Sequence, residues 1–500
     1  MVGHQQHRRP RTREDTFMTT RSNTAALALE PVLEAVTANF DDSVQRLAEF
    51  LRIPSVSTDP AFKSETRLAG SWLVDELRTM GFNAELRDTP GHPMVVAHHP
   101  GPGGSGDGDG ASGASEIPHV LYYGHYDVQP ADPLELWESG PFEPRVVEGP
   151  HGKRIVARGA ADDKGQVMTF VEAFRAWHTA HGTLPVAVSV MIEGEEESGS
   201  ESLEPFLESA RDELAADVCV VSDTGMLDID TPCVTTGLRG MVYIEATLHG
   251  PSHDLHSGMY GGVLVNPCNS LCRVLAQLHD DRGAVAIPGF YDGIEEISDD
   301  QRSQWEALPF DEGAFLAGAG VRTPFGEPGR STLERMWSRP TCDINGLKGG
   351  YIGAGAKTVI GSHASAKISC RLVAGQDPKR IHDALIAHLE SLTPPDGRWE
   401  FRSHGQAPAI AVPSDSPWLA AAERGLEAIY GRPALRIGCG GSIPAVGSIR
   451  RILGVDSLLV GFAQEDDLVH SPNEKFELTC LERGTRAHAA MLAEFAALQR

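Results

Sequence analysis

Apolar residues recur at helical spacing in Asp41 to Arg52, "DDSVQRLAEFLR", behind an acidic start that suits a helix N-terminus. Thr66 to Met80 repeats the pattern, and Gly81 ends it. The rhythm then shortens. "MVVAHHP" and "HVLYYGHYDV" are brief apolar runs closed by polar residues, the signature of buried strands. Lys164 to His178 predicts a helix, "LPVAVSVMI" a strand, Ser202 to Leu214 a helix and "ADVCVVSD" a strand. Strands alternating with helices predict a mostly parallel sheet with helices on both faces, an α/β fold.

Past Pro232 the pattern changes. "MVYIEATLHG" alternates like a half-exposed strand, followed by a helix over Val265 to His279. Then come "GGYIGAGAKTVIG", "AKISCRLVAG", a helix over Pro378 to Leu392 and "RWEFRSHG". This order suits a small two-layer α+β domain. Arg282 to Cys342 reads as irregular, with several Pro and Gly. A helix over Pro417 to Tyr430, the strand "SLLVGF" and a helix over Leu481 to Gln499 resume the first style. The expected organisation is a catalytic domain over 26–234 and 403–500, interrupted by an inserted domain over 235–402. Residues 1–25 are polar and Arg-rich, lack the apolar core of a signal peptide and read as a disordered tail, with Met18 a candidate start. The Gly- and Ser-rich stretch Gly101 to Glu116 reads as a surface insertion.

Composition narrows the partners. Asp and Glu number 69 against 43 Lys and Arg, a net charge of −26, which disfavours nucleic acid or an anionic membrane. There is no apolar run long enough to span a bilayer. The 8 cysteines are scattered without a C-x-x-C pair, so reduced thiols and a cytoplasmic location are expected.

The candidate chemistry sits where the strands end. "YYGHYDV" supplies His125 and Asp127, two apart and so on one side of an extended chain. "RGAADDKG" supplies Asp162 and Asp163, "IEGEEESGS" a crowd of glutamates, "VVSD" Asp223 and "EDDLVHSPNEK" His470. Parallel sheets gather ligands beyond their carboxyl ends. Imidazoles and carboxylates without thiolates suit a divalent ion such as Zn or Mn, and two ions sharing a carboxylate could activate a water. Taken singly, each motif has a plainer reading as a cap, an acidic loop or an incidental histidine. Their succession at strand ends favours a site.

Nine blocks in one order, "GHYDVQP", "RGAADDKG", "IEGEEESGS", "VSD", "DLHSGMYGG", "KTVIG", "CRLV", "GGSIP" and "VHSPNEK", resemble the signatures of the dinuclear metallopeptidases. That family includes carnosinase, the cytosolic nonspecific dipeptidase, acetylornithine deacetylase and succinyl-diaminopimelate desuccinylase. The likeness is strongest toward the dipeptidase branch. It implies a phosphorylase/hydrolase-like catalytic domain with an inserted lid and dimerisation domain. It also implies two divalent ions, Zn, Mn or Co. His125 and Asp223 would hold one, Glu197 and His470 the other, and Asp162 would bridge them through a carboxylate followed by a cis peptide. Asp127 would orient the His125 imidazole. Asp163 stands where many relatives have Asn.

The resemblance makes Glu196 the general base, taking a proton from a metal-bridging water and passing it to the leaving amine. His256 would reach the oxyanion from the neighbouring subunit of a homodimer. Thr358 and Arg371 would hold the substrate's C-terminal carboxylate, with His404 and Ser442 also facing the substrate. Glu193 receives no role. Glu195 stands where relatives often carry Met, so its side chain is expected to be replaceable. The implied activity is dipeptide hydrolysis, with deacylation of N-acyl amino acids as the alternative. A two-carboxylate glycosidase fits poorly, since adjacent glutamates cannot flank a sugar bond and the histidines would go unused. A non-catalytic scaffold fits poorly because every expected ligand position is filled.

Overall fold

The computed structural model describes residues 27–104, 117–441 and 443–498. The expected tail over 1–25, most of the Gly101–Glu116 insertion and Ser442 lie outside these residues. A nine-stranded sheet forms the larger unit. From one edge its strands are Asn83–Arg87, Met94–His99, Ala187–Glu193, His119–His125, Val218–Val221, Ser457–Leu459, Cys233–Leu238 and Ile410–Ala411, with Leu435–Cys439 also paired to Cys233–Leu238. The central strands run parallel. The edge pairings of Asn83–Arg87, Met94–His99 and Ile410–Ala411 are antiparallel. The expected parallel sheet is therefore its centre, and the whole is mixed.

Both faces of the central strands are apolar. Val120 and Tyr122 enter the core on one side, and Leu121 and Tyr123 enter the core on the other. Val218 and Val220 alternate with Cys219 and Val221 in the same way. Period-two side-chain geometry turns a continuous apolar run into two buried faces. Helices Lys164–His181, Pro417–Tyr430 and Leu478–Ala496 cover the first face, and Leu203–Ser209 and Pro444–Leu453 the second. Among the described residues no helix is long and apolar enough to cross a membrane. All eight cysteines are free thiols.

A four-stranded antiparallel sheet forms the smaller unit, ordered Thr341–Gly349, His363–Leu372, Gly240–His249 and Arg398–Ala407. Burial alternates along Gly240–His249, and its inward residues pack with helices Pro267–Leu275 and Pro378–Ser391. The last strand continues past Arg402 to Ala407. Beyond its first residue "GGYIGAGAKTVIG" contributes the short strand Val359–Ile360, and Thr341–Gly349 takes the edge position in the four-stranded sheet. The stretch read as irregular holds helices Asp299–Glu306, Glu312–Gly318 and Thr332–Trp337. Ser298, Asp311 and Ser331 cap their first turns, the last through a capping box with Glu334. Trp305 from this stretch donates to the Arg436 carbonyl, tying it to the larger sheet.

Candidate metal centre

His125 closes one central strand, the glutamate turn follows the next, and Asp223 stands just beyond the third. Asp162 lies before helix Lys164–His181, with the Asp162–Asp163 peptide cis. His470 comes from the loop preceding Lys475–Glu477 and has φ +62°, a left-handed conformation uncommon for a residue with a Cβ. Five segments thus converge beyond the carboxyl ends of the parallel strands.

Two clusters result. His125, Asp162 and Asp223 present ligand atoms within 4.8 Å of one another, and so do Asp162, Glu197 and His470. Asp162 belongs to both. Its Oδ1 is 3.0 Å from His125 Nε2, and its Oδ2 is 3.0 Å from His470 Nε2. His470 Nε2 also lies 3.3 Å from Glu197 Oε1. The donor set contains imidazole and carboxylate and no thiolate, which fits borderline or hard divalent ions. Glu197 Oε1 is buried and its contact with His470 misses hydrogen-bond geometry, as expected of an oxygen reserved for an ion.

Asp127 is fully buried behind this pair. His125 Nδ1 lies 3.1 Å from the Asp127 carbonyl and 3.3 Å from its Oδ1. That leaves Nε2 facing the clusters. The two Asp127 carboxylate oxygens also accept the Glu196 and Glu197 backbone amides at 3.2 and 3.0 Å. One carboxylate therefore aligns an imidazole and the turn carrying Glu196 and Glu197.

Electrostatics separate the acidic groups. Burial pushes the Glu196 carboxyl up to about 7, helped by Glu197, Asp127 and Asp162 and opposed by His125. Burial would also raise Asp162, but hydrogen bonds from His125 and His470 bring it below its ordinary value. Burial raises Asp163 well above the carboxylate range, with His125 opposing and Asp162 adding. Asp163 is fully buried. Its Oδ2 accepts the His125 amide at 3.2 Å.

The remaining glutamates acquire places. Glu193 is fully buried and accepts the Tyr123 hydroxyl proton. Burial raises its carboxyl to about 8. Glu195 is not a replaceable loop side chain. It is buried, its Oε1 accepts from His92 N at 3.0 Å, and its Oε2 accepts from Ser202 N at 3.2 Å. A Cβ at Gly91 would stand 1.4 Å from that Oε1, so the 91–92 backbone closes directly onto it.

Four of the five expected substrate residues, His256, Thr358, Arg371 and His404, sit on the smaller unit. His256 pairs with Val359 across a two-residue strand, and Ser257 N donates to the Thr358 carbonyl, which brings His256 and Thr358 together on an exposed edge. Arg371 lies opposite Thr341 and Met241 in the four-stranded sheet. His404 Nε2 is 3.4 Å from Glu245 Oε2, and its ring packs beside Tyr243. Sequence reading missed Arg239. Burial, followed by the charge of Arg371, lowers its guanidinium to about 10, and its Nε donates to the Gly440 carbonyl at 3.0 Å.

Comparison with known proteins is consistent throughout. The model of Peptidase family M20/M25/M40 matches residues 121–494. The Cys-Gly metallodipeptidase DUG1 of Candida albicans is 31% identical over 472 residues, covering 92% of this chain and 96% of that protein. The Beta-Ala-His dipeptidase of Homo sapiens is 29% identical over 489 residues, covering 94% and 93%. The solved structure of the di-peptidase Dug1p from Saccharomyces cerevisiae superposes with a TM-score of 0.78 at 26% identity, covering 95% of this chain and 100% of that one. With the family model spanning most of the chain and a relative aligned nearly end to end, the chain belongs to Peptidase family M20/M25/M40.

Proposed function

We propose that this chain is a metal-dependent dipeptidase acting on dipeptides with a free C-terminal carboxylate. The observation that carries this reading is the single carboxylate of Asp162 shared by two ligand clusters, with Glu196 beside them. His125, Asp162 and Asp223 would hold one ion, and Asp162, Glu197 and His470 the other. Zn and Mn suit these ligands, and Co would substitute. When bound, such an ion pair polarises a carbonyl and eases deprotonation of water.

The chain's own groups supply the rest. Glu196 takes a proton from the attacking water and delivers it to the leaving amine. Burial raises its carboxyl, the direction that suits a group that both takes up and releases a proton. Asp127 keeps His125 and the 196–197 turn aligned while this happens. Arg371 would receive the substrate carboxylate, with Thr358, which lies beside His256, reaching it across the same homodimer, and the nearby Arg239 adds positive charge. His404 and Ser442 would contact the substrate from the smaller unit and the "GGSIP" loop.

His256 would act across a homodimer. It is exposed at the edge of the smaller unit, which also exposes Met259, Val263, Leu347 and Ile352 at 72, 77, 59 and 72%. Large apolar side chains left uncovered in one unit suit a second copy of the chain. The relatives named for Cys-Gly and Beta-Ala-His cleavage favour dipeptides over N-acyl amino acids. Assaying both substrate classes with and without chelator tests the choice. Acyl amino acid cleavage without dipeptide cleavage would replace this reading by the amidohydrolase one.

A further inference from the structure

Glu474 lies in "VHSPNEK", four residues after His470, and the chemistry above gives it no role. It is one of the most confined charges in the molecule, paired with Arg158 at 2.7 Å with both side chains 1% exposed. Its contacts all run to one segment. Oε2 accepts from Arg158 Nη1 and from Gly159 N at 2.9 Å, and Oε1 accepts from Ala161 N at 2.9 Å and Asp162 N at 3.0 Å. The Glu474 carbonyl accepts from Ala157 N at 3.0 Å. Three of these four carboxylate contacts hold backbone N–H groups of the segment that ends in the bridging aspartate, and the fourth holds the Arg158 guanidinium.

The other end of this contact is also held. Asn473 accepts from Glu138 N at 2.8 Å and donates to the Leu136 carbonyl at 2.9 Å. Lys475 pairs with Val156 in an antiparallel ladder. Both neighbours of Glu474 are thus anchored, and two residues, Ser471 and Pro472, connect Asn473 to His470.

We propose that Glu474 is the positioning residue of the bridging site: its carboxylate clamps Gly159 to Asp162 and sets the Asp162 carboxylate against His470. The clamp rests on the dinuclear reading and adds the device that fixes the spacing of two ligands from distant parts of the chain. Both charge and reach are required. A Gln at 474 would turn an amide donor toward backbone donors in either orientation. An Asp would keep the charge but stand one methylene short of the amides.

Cobalt(II) titration of the metal-free full-length chain, by calorimetry and visible absorption, tests this. Glu474→Gln and Glu474→Asp should each weaken ion binding by about 10–100-fold, the range for residues that orient ligands, and alter the absorption of the loaded protein. Glu172→Gln is the control. Glu172, on helix Lys164–His181, is a comparably buried carboxylate held by Ser43 and Arg46 and belongs to neither ligand cluster. It should lose stability yet bind cobalt as the native chain does. Native affinity in either Glu474 variant overturns the clamp, as does an equal loss in Glu172→Gln. If Glu474→Gln fails to fold, Glu474→Asp carries the same comparison. A native chain that takes up no cobalt overturns the dinuclear reading, and the clamp with it.

Discussion

The Asp162 carboxylate stands between His125 and His470, one oxygen 3.0 Å from each Nε2. Removing a ligand shared by two proposed ion sites should weaken both, whereas removing an unshared ligand should weaken one. Asp162→Ala should therefore retain close to no tightly bound ion after desalting, whereas Asp223→Ala should retain the ion held by Glu197 and His470. Metal analysis of the two variants distinguishes a shared site from separate ones.

Glu196, the proposed proton carrier, is absent from both ligand clusters. Glu196→Gln should lower kcat by about 10²–10⁴-fold, the usual share of general acid–base catalysis. Ion content and KM should stay near native. A raised KM at unchanged kcat would assign Glu196 to substrate binding instead.

Glu195 joins the His92 amide to the Ser202 amide from a buried position. Glu195→Gln turns an amide donor onto one of these N–H groups, an unsatisfied contact costing about 1–3 kcal/mol. The expected result is a lowered thermal midpoint with far less loss of turnover than in Glu196→Gln. Equal losses of turnover would place the base at the wrong glutamate.

His488 is fully buried, its Nε2 is 2.8 Å from Ser222 Oγ, and its ring packs among Tyr122, Phe170 and Phe462. Burial lowers its pKa from 6.5 to about 3. The unfolded chain then binds the proton first, so stability present above pH 6.5 is lost as pH falls toward 3. At pH 5 the loss from this residue is about 2 kcal/mol. His488→Gln should flatten the decline in stability between pH 6.5 and 5, measured by denaturant unfolding.

The dimer proposal has a complementation test. Glu196→Gln and His256→Ala should each be nearly inactive alone. When the two are mixed and allowed to exchange subunits, sites holding a native Glu196 and a partner's native His256 should regain activity. No recovery would place His256 in its own subunit's site.

Much of the fold was legible because buried parallel strands are short apolar runs that end in the residues they present. His119 to His125 and the turn after Ala187–Glu193 carry both their burial and their chemistry in one stretch. The strands Cys233–Leu238 and Leu435–Cys439 were not legible, since a short segment with an internal Gly looks like a loop until a neighbour pairs with it. The helices between 299 and 337 left a signal in Ser331 and Glu334, a capping box passed over among prolines and glycines. Glu195 and Glu474 were beyond reach for a different reason. Each acts on backbone amides far away in sequence, His92 for one and Gly159 to Asp162 for the other, and spacing cannot show such a partner.

The most direct test of the central claim is dipeptide hydrolysis measured against bound metal, from the chelated protein through stepwise return of Zn, Mn or Co. Cleavage absent in the chelated chain, and rising to its maximum as two ions per subunit are restored, is the predicted result. Full dipeptide cleavage by the metal-free chain, or none at two ions per subunit, would contradict it.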